Sequence, residues 1–204
     1  MGRGSDSKER LMEAVLDLIW EGSYGSTTID HICERAGVKK GSFYYFFDSK
    51  ADLAVTAIDA EWQKRRPELD GIFSPTVPPL ERFRQYCDYG YRFQVEIKAK
   101  CGRVLGCALF SLGAEVSTQE DRLQKKIQEI LEQKRKYLEA AIRDAAAGGL
   151  IQAPDPAAKS RALQAYLEGL LTQARIEDNV EILREAVCGI FDFLGVKERV
   201  SASP

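Results

Sequence analysis

The chain has 204 residues, 45% of them hydrophobic, with 29 Lys and Arg against 31 Asp and Glu for a formal net charge of −2. That balance suits a globular protein of one or two domains; no apolar run is long enough for a membrane-spanning helix, and MGRGSDSKER lacks the apolar stretch of a secretory signal. Five cysteines (Cys33, Cys87, Cys101, Cys107, Cys188), an odd number without CxxC, and the single His31 argue against a disulfide framework or a zinc site and fit a reducing cytoplasm.

Residues 1–7 read as a disordered leader. Leu11, Val15, Leu18 and Ile19 recur at helical spacing and predict a first helix over 8–21, ended by Gly22 and Gly25. Thr27, followed by Asp30 and by Ile29, Ile32, Cys33 and Ala36 on one face, predicts an N-cap with a reciprocal acid. Gly37 ends that helix, since a left-handed residue is easiest without a Cβ. A second short helix runs from Lys39 to Phe47; Phe43 and Phe47, four apart, share its inner face and leave Tyr44 and Tyr45 pointing elsewhere. Ser49 with Asp52 caps a longer helix into the mid-sixties, where Arg65-Arg66-Pro67 predicts a break or kink. Helix, glycine turn, helix is the helix-turn-helix arrangement.

Lys39, Lys40, Ser42, Tyr44, Tyr45 and Lys50 put donors along the second helix, as phosphate oxygens and base edges require. The weak net charge is no obstacle, because nucleic-acid affinity follows the local field. Between Arg35 and Lys50 the cations Arg35, Lys39, Lys40 and Lys50 face Asp48 alone, while Glu13, Asp17 and Glu21 are expected to point away on the first helix. Binding should be steeply salt-dependent.

GIFSPTVPP (71–79) reads as a linker between a DNA-binding domain over 8–70 and a second helical domain over 80–204. In the latter, helices are predicted over Leu80–Ala99 and Leu105–Val116, with Cys101-Gly102-Arg103 as a connection. Ser117 with Glu120 should cap a helix to Ala147, Asp155-Pro156 one to Ile176, and Asp178 one to Leu194. No strand pattern survives, so the fold class is all-α with about nine helices. The last two helices are apolar over wide faces (Leu163, Leu167, Leu170, Leu171, then Leu183, Val187, Ile190, Phe191, Leu194), which suits either a protomer core or a partner. Tyr86, Tyr89, Phe93, Phe110 and Tyr166 suit either core or the lining of a small-molecule pocket. Nothing resembles a Ser/His/Asp set, a phosphate loop or a metal cluster, so neither an enzyme nor a cofactor is expected.

The stretch AGVKKGSFYYFFDSKADL resembles the signature of the TetR family of transcriptional regulators, ungapped at Ala36, Gly37, Val38, Lys40, Gly41, Tyr44, Phe47, Ser49, Lys50, Asp52 and Leu53. The resemblance implies a cytoplasmic, nucleoid-associated regulator, most simply a repressor, that binds a palindromic operator as a homodimer and answers to a small-molecule effector. It makes Thr27, Thr28, Tyr44 and Lys50 phosphate clamps and places Lys39, Gly41, Ser42, Tyr45 and Phe46 toward the groove. Phe46 has no donor, so contact with a thymine methyl is its expected use. The resemblance also implies dimerisation through the last two helices. A helical adaptor using the same turn for protein contacts is the alternative; the donors at Lys39, Lys40, Tyr44 and Lys50 favour DNA.

A second stretch, GCALFSLGAEV from Gly106 to Val116, is similar to a segment of the subgroup of repressors that respond to N-ethylmaleimide and other electrophiles. That similarity makes Cys107 a possible sensor thiol and Arg175 the counterpart of a lysine that assists it, keeping the charge but not the amine.

Overall fold

The computed structural model describes residues 3–118 and 120–196, with side chains from residue 6 onward. Its elements are α1 (Arg3–Glu21), α2 (Ile29–Ala36), α3 (Lys40–Phe46), α4 (Lys50–Ile72), α5 (Pro79–Cys101), α6 (Ala108–Val116), α7 (Asp121–Ala147), α8 (Pro156–Ile176), a 3-10 segment Val180–Glu185 and α9 (Ala186–Leu194). Among the described residues there is no strand, as the sequence pattern predicts. The helix α1 already includes residues 3–7 of the expected leader; residues 1, 2 and 197–204 lie outside the described residues.

The chain forms two compact units, one of residues 1–66 with 108–131 and the other of 67–107 with 132–204. These units divide at Pro67, before the 71–79 stretch, and again within α7. The core of the first unit joins Leu11 and Val15 of α1 to Ile32, Phe43, Leu53, Leu112 and Ile127, all buried. In the second, Phe83, Leu138, Ile142, Leu163 and Ile190 are buried.

Helix α4 continues through Pro67 to Ile72, so the chain does not break there. Proline inside a helix costs about 3 kcal/mol, but Leu69 and Ile72, both buried, lie beyond it. Each such side chain contributes about 1.5–3 kcal/mol on burial, enough to carry the helix past the lost hydrogen bond. The 71–79 stretch is also tied down. Arg82, 3% exposed, donates from Nε to Val77 O at 2.8 Å and from Nη2 to Pro75 O at 3.3 Å, and pairs with Asp144 at 2.6 Å.

Several caps lie where the sequence puts them. Gly37 is left-handed (φ 64°), Ser49 Oγ accepts from Asp52 N at 3.1 Å, and Asp155 Oδ1 accepts from Ala158 N at 2.9 Å. Three move. Thr28, not Thr27, caps α2, accepting from His31 N at 3.1 Å. Ser117 donates back to Ala114 O at 3.2 Å, closing α6 without opening α7. Asp178 sits at φ 48° and accepts from Val104 N at 2.9 Å; Asn179 is the residue that caps the 3-10 segment, which replaces the first part of the expected last helix.

Candidate functional site

The turn between α2 and α3 is built by Gly37, whose left-handed backbone lets its N–H reach Glu34 O at 3.1 Å while Val38 N reaches Cys33 O at 3.0 Å. A side chain at that φ would be strained by about 1–2 kcal/mol. Phe43 is fully buried and Phe47 is 3% exposed, their rings 6.1 Å apart, so α3 is anchored from its inner face. The opposite face carries Tyr44 at 55% and Tyr45 at 81% exposure, with Lys39, Lys40 and Gly41 exposed and Ser42 and Phe46 half-buried. Tyr45 packs edge-on against Phe46 at 4.8 Å, which holds both rings to the same side. Large exposed aromatics among lysines are what a duplex-reading surface requires, and an apolar core does not account for them.

Two cations of this surface already have partners. Lys40 pairs with Asp30 at 2.8 Å, and the bond to Asp30 raises the lysine's pKa. Arg35 pairs with Glu21 at 3.0 Å, so Glu21 lies beside the basic surface rather than away from it.

The loop before α2 is gripped from two sides. Lys50 donates to Tyr24 O and to Thr27 O, each at 2.7 Å, and lies 3.9 Å from the Tyr24 ring centroid. Burial lowers its pKa, although Glu115 and Glu120 raise it in part. From α6, Glu115 accepts from Tyr24 N at 3.0 Å and from Gly25 N at 2.7 Å. Thr27 is 3% exposed and donates its hydroxyl to Ser23 O at 2.7 Å. Thr27 is thus occupied inside the fold, and two donor interactions of Lys50 hold the loop; Thr28 remains exposed at the start of α2.

In the second unit the segment 104–107, which leads into α6, is fixed at three points. Asp178 holds the Val104 amide, Arg175 Nη1 donates to Leu105 O at 3.1 Å, and the buried Gln94 exchanges two 3.0 Å bonds with the Gly106 backbone. At Gly106 (φ 66°) a side chain would be strained, and its Cβ would stand a tight 3.1 Å from Leu171 O. Cys107 follows, half-buried. Its thiol lies in the field of Lys134 on α7, which also faces Tyr86, Tyr89 and Glu168. Burial works to lower the Lys134 pKa, but those neighbours outweigh it and the net direction is up, so the lysine stays an ammonium. Burial pushes the Tyr86 hydroxyl up despite Lys134, so it remains a donor.

Tyr86 and Tyr89 border this cluster, and Phe93 stacks on Tyr89 with centroids 6.5 Å apart. Tyr166 turns instead toward α9, its hydroxyl over Gly189, and Phe110 is 44% exposed in the first unit. Sequence reasoning passed over Lys134, Glu168 and Glu115. A charge breaking into an apolar stripe was the available signal: Lys134 stands in line with Ile127, Ile130, Leu131 and Leu138, and Glu168 beside Leu167 and Leu171.

The apolar faces of α8 and α9 divide as well. Leu163, Leu183, Ile190 and Leu194 are buried within the protomer. Leu170 and Leu171 pack half-buried on the Val104, Ala174 and Leu183 cluster. Leu167, Val187 and Phe191 are half-buried.

The comparisons with known proteins agree with this architecture. Residues 11–57 match the model of the bacterial regulatory proteins of the tetR family, and residues 79–190 that of the tetracyclin repressor-like C-terminal domain. The chain is 31% identical over 171 residues to the transcriptional regulator AcuR of Cereibacter sphaeroides, covering 83% of this chain and 76% of that one. It is 26% identical over 191 residues to the transcriptional repressor DhaR of Mycobacterium sp., covering 92% and 91%. A crystal structure of a regulatory protein TetR from Rhodobacter sphaeroides superposes with a TM-score of 0.78 at 29% identity, over 91% of this chain and 97% of that one. Reduced E. coli NemR superposes at 0.76 with 19% identity, over 93% and 98%, a likeness of fold alone. These relatives are transcriptional regulators rather than enzymes or adaptors, and no helix among the described residues is long and apolar enough to cross a membrane. The chain belongs to the tetR family of bacterial regulatory proteins, as a helix-turn-helix DNA-binding transcriptional regulator with a helical effector domain.

Proposed function

We propose that the protein is a repressor that binds a palindromic operator as a homodimer, in the cytoplasm at the nucleoid, and lets go when an effector occupies its second unit. The observation that carries this reading is the polarity of α3: Phe43 buried, Tyr44 and Tyr45 exposed beside Lys39 and Lys40. In the groove, Lys39, Gly41, Ser42, Tyr45 and Phe46 face bases, while Thr28, Lys40 and Tyr44 take phosphates. Lys50 supports the loop, with its remaining proton free to reach the backbone. One seven-residue helix reads only a few base pairs, and two-fold pairing through Leu167, Val187 and Phe191 supplies the second half-site. Selection of bound duplexes from a random pool tests this: a two-fold symmetric consensus is expected, and enrichment of an asymmetric single site rules the dimeric reading out.

A thiol route to release has support of its own. Cys107 is half-buried, lies in the field of a lysine, and directly precedes α6, whose Glu115 holds the loop before α2. Arg175 is engaged with Leu105 O, so Lys134 is the better candidate to stabilise a thiolate. Operator release by N-ethylmaleimide should be lost in Cys107→Ser; undiminished release in that variant removes the thiol from the mechanism.

A further inference from the structure

Glu168 is 4% exposed, and its Oε2 is buried without a hydrogen-bond partner. A buried carboxylate oxygen left unpaired costs several kcal/mol by usual measures, so a fold keeps one where something else completes it. The adjacent cation does not. Lys134 Nζ stands 4.0 Å from Glu168 Oε1, beyond hydrogen-bonding reach, on a side chain 19% exposed. An acceptor looking for a proton and an ammonium with protons to give therefore face the same place.

The groups around the pair are aromatic and polar at once. Tyr86 and Tyr89 border Lys134, and Tyr86 leans edge-on against Phe73 with centroids 5.3 Å apart. Lys134 and Glu168 cancel in charge, so a further full charge between them would go uncompensated.

We infer that Lys134 and Glu168 form the recognition pair for a small effector bearing a planar C(=O)–XH group, a carboxamide or an undissociated carboxylic acid, whose carbonyl oxygen accepts from Lys134 and whose X–H donates to Glu168 Oε2. The inference rests on the effector reading above and names its chemistry. A carboxylic acid would enter with one proton, a carboxamide with none. A ketone offers no donor and an ammonium no acceptor, so each satisfies one side and leaves the other unpaired. The Tyr86 hydroxyl can add a second donor to the carbonyl oxygen.

Four probes of matched length test this on the full-length protein: butyramide, butyric acid, pentan-2-one and butylammonium. Binding is read by calorimetry and by the shift in thermal midpoint, with no DNA present. Butyramide is expected to bind equally from about pH 5 to about pH 8, and butyric acid to weaken tenfold per pH unit above its own pKa as one proton is taken up. Glu168→Gln and Lys134→Met should each weaken butyramide by about tenfold or more. Binding of butyramide and pentan-2-one at equal affinity, pH-independent binding of butyrate anion, or binding of no probe overturns the proposal. If a variant fails to fold, proton uptake by butyric acid on the unaltered protein still decides. Operator release is scored separately: butyramide that binds but releases no DNA keeps the recognition pair and removes its role as an effector site.

Discussion

Glu115 and Gly25 are 90 residues apart in sequence, yet a carboxylate oxygen of the first accepts the amide of the second at 2.7 Å. The other oxygen takes the neighbouring Tyr24 amide at 3.0 Å. One side chain of α6 thus fixes the loop from which α2 starts, and α6 itself begins one residue after Cys107. Removing the carboxylate with Glu115→Ala leaves both amides without their acceptor. Charge-assisted bonds of this kind contribute about 1.5–3 kcal/mol in favourable settings, less where solvent reaches them. Amide exchange at Tyr24 and Gly25 should accelerate, and operator affinity should fall while α8 and α9 keep their protection. Unchanged exchange at those two amides would show that Glu115 is not the clamp.

Lys40 is held by Asp30 in an ion pair, and on the proposed reading DNA phosphate competes for the same ammonium. Asp30→Asn frees Lys40 and removes a negative charge from the surface. Operator affinity should rise, and the slope of log K against log salt should steepen by up to about one counterion. A variant with the same slope as the parent would mean that Lys40 does not touch phosphate.

Phe43, buried, and Tyr45, exposed, let folding and the proposed DNA reading be tested separately on one helix. Phe43→Ala opens the core of the first unit and should cost about 3–5 kcal/mol of stability. Tyr45→Ala, at a side chain 81% exposed, should leave the melting temperature within about a degree. It should nonetheless reduce operator binding by tenfold or more. Equal binding by the Tyr45 variant and the parent would exclude Tyr45 from the interface.

The two exposed tyrosines were legible in the sequence because Phe43 and Phe47, four apart, fix the inner face and leave 44 and 45 no place inside. Gly37, Ser49 and Asp155 were legible too, since local capping chemistry depends only on neighbours in the chain. What the pattern could not show were decisions made by distant contacts. Thr27 and Thr28 are equivalent as caps until Ser23 O takes the hydroxyl of the first. Asp178 looks like a helix cap until Val104 N, 74 residues away, claims it. Pro67 reads as a stop because the burial of Leu69 and Ile72 beyond it is a tertiary fact. Glu168 and Lys134 come from different helices, and neither position alone shows the other.

Asp178 sets the acid response of the segment that carries Cys107. Its backbone bond from Val104 is the main cause of a pKa held below the usual carboxylate value, with the bond and charge of Lys98 adding to it. A folded pKa below the unfolded one means that the stabilisation is fully present above the unfolded carboxylate range. It is lost as pH falls through that range toward the folded pKa, when the unfolded state binds the proton more readily. Asp178→Asn should therefore be less stable than the parent at neutral pH, and the gap should close in acid. Denaturant midpoints of both proteins measured from about pH 7 to about pH 3 check the sign. A gap that stays constant across that range would show that the Asp178 charge is not what holds Val104.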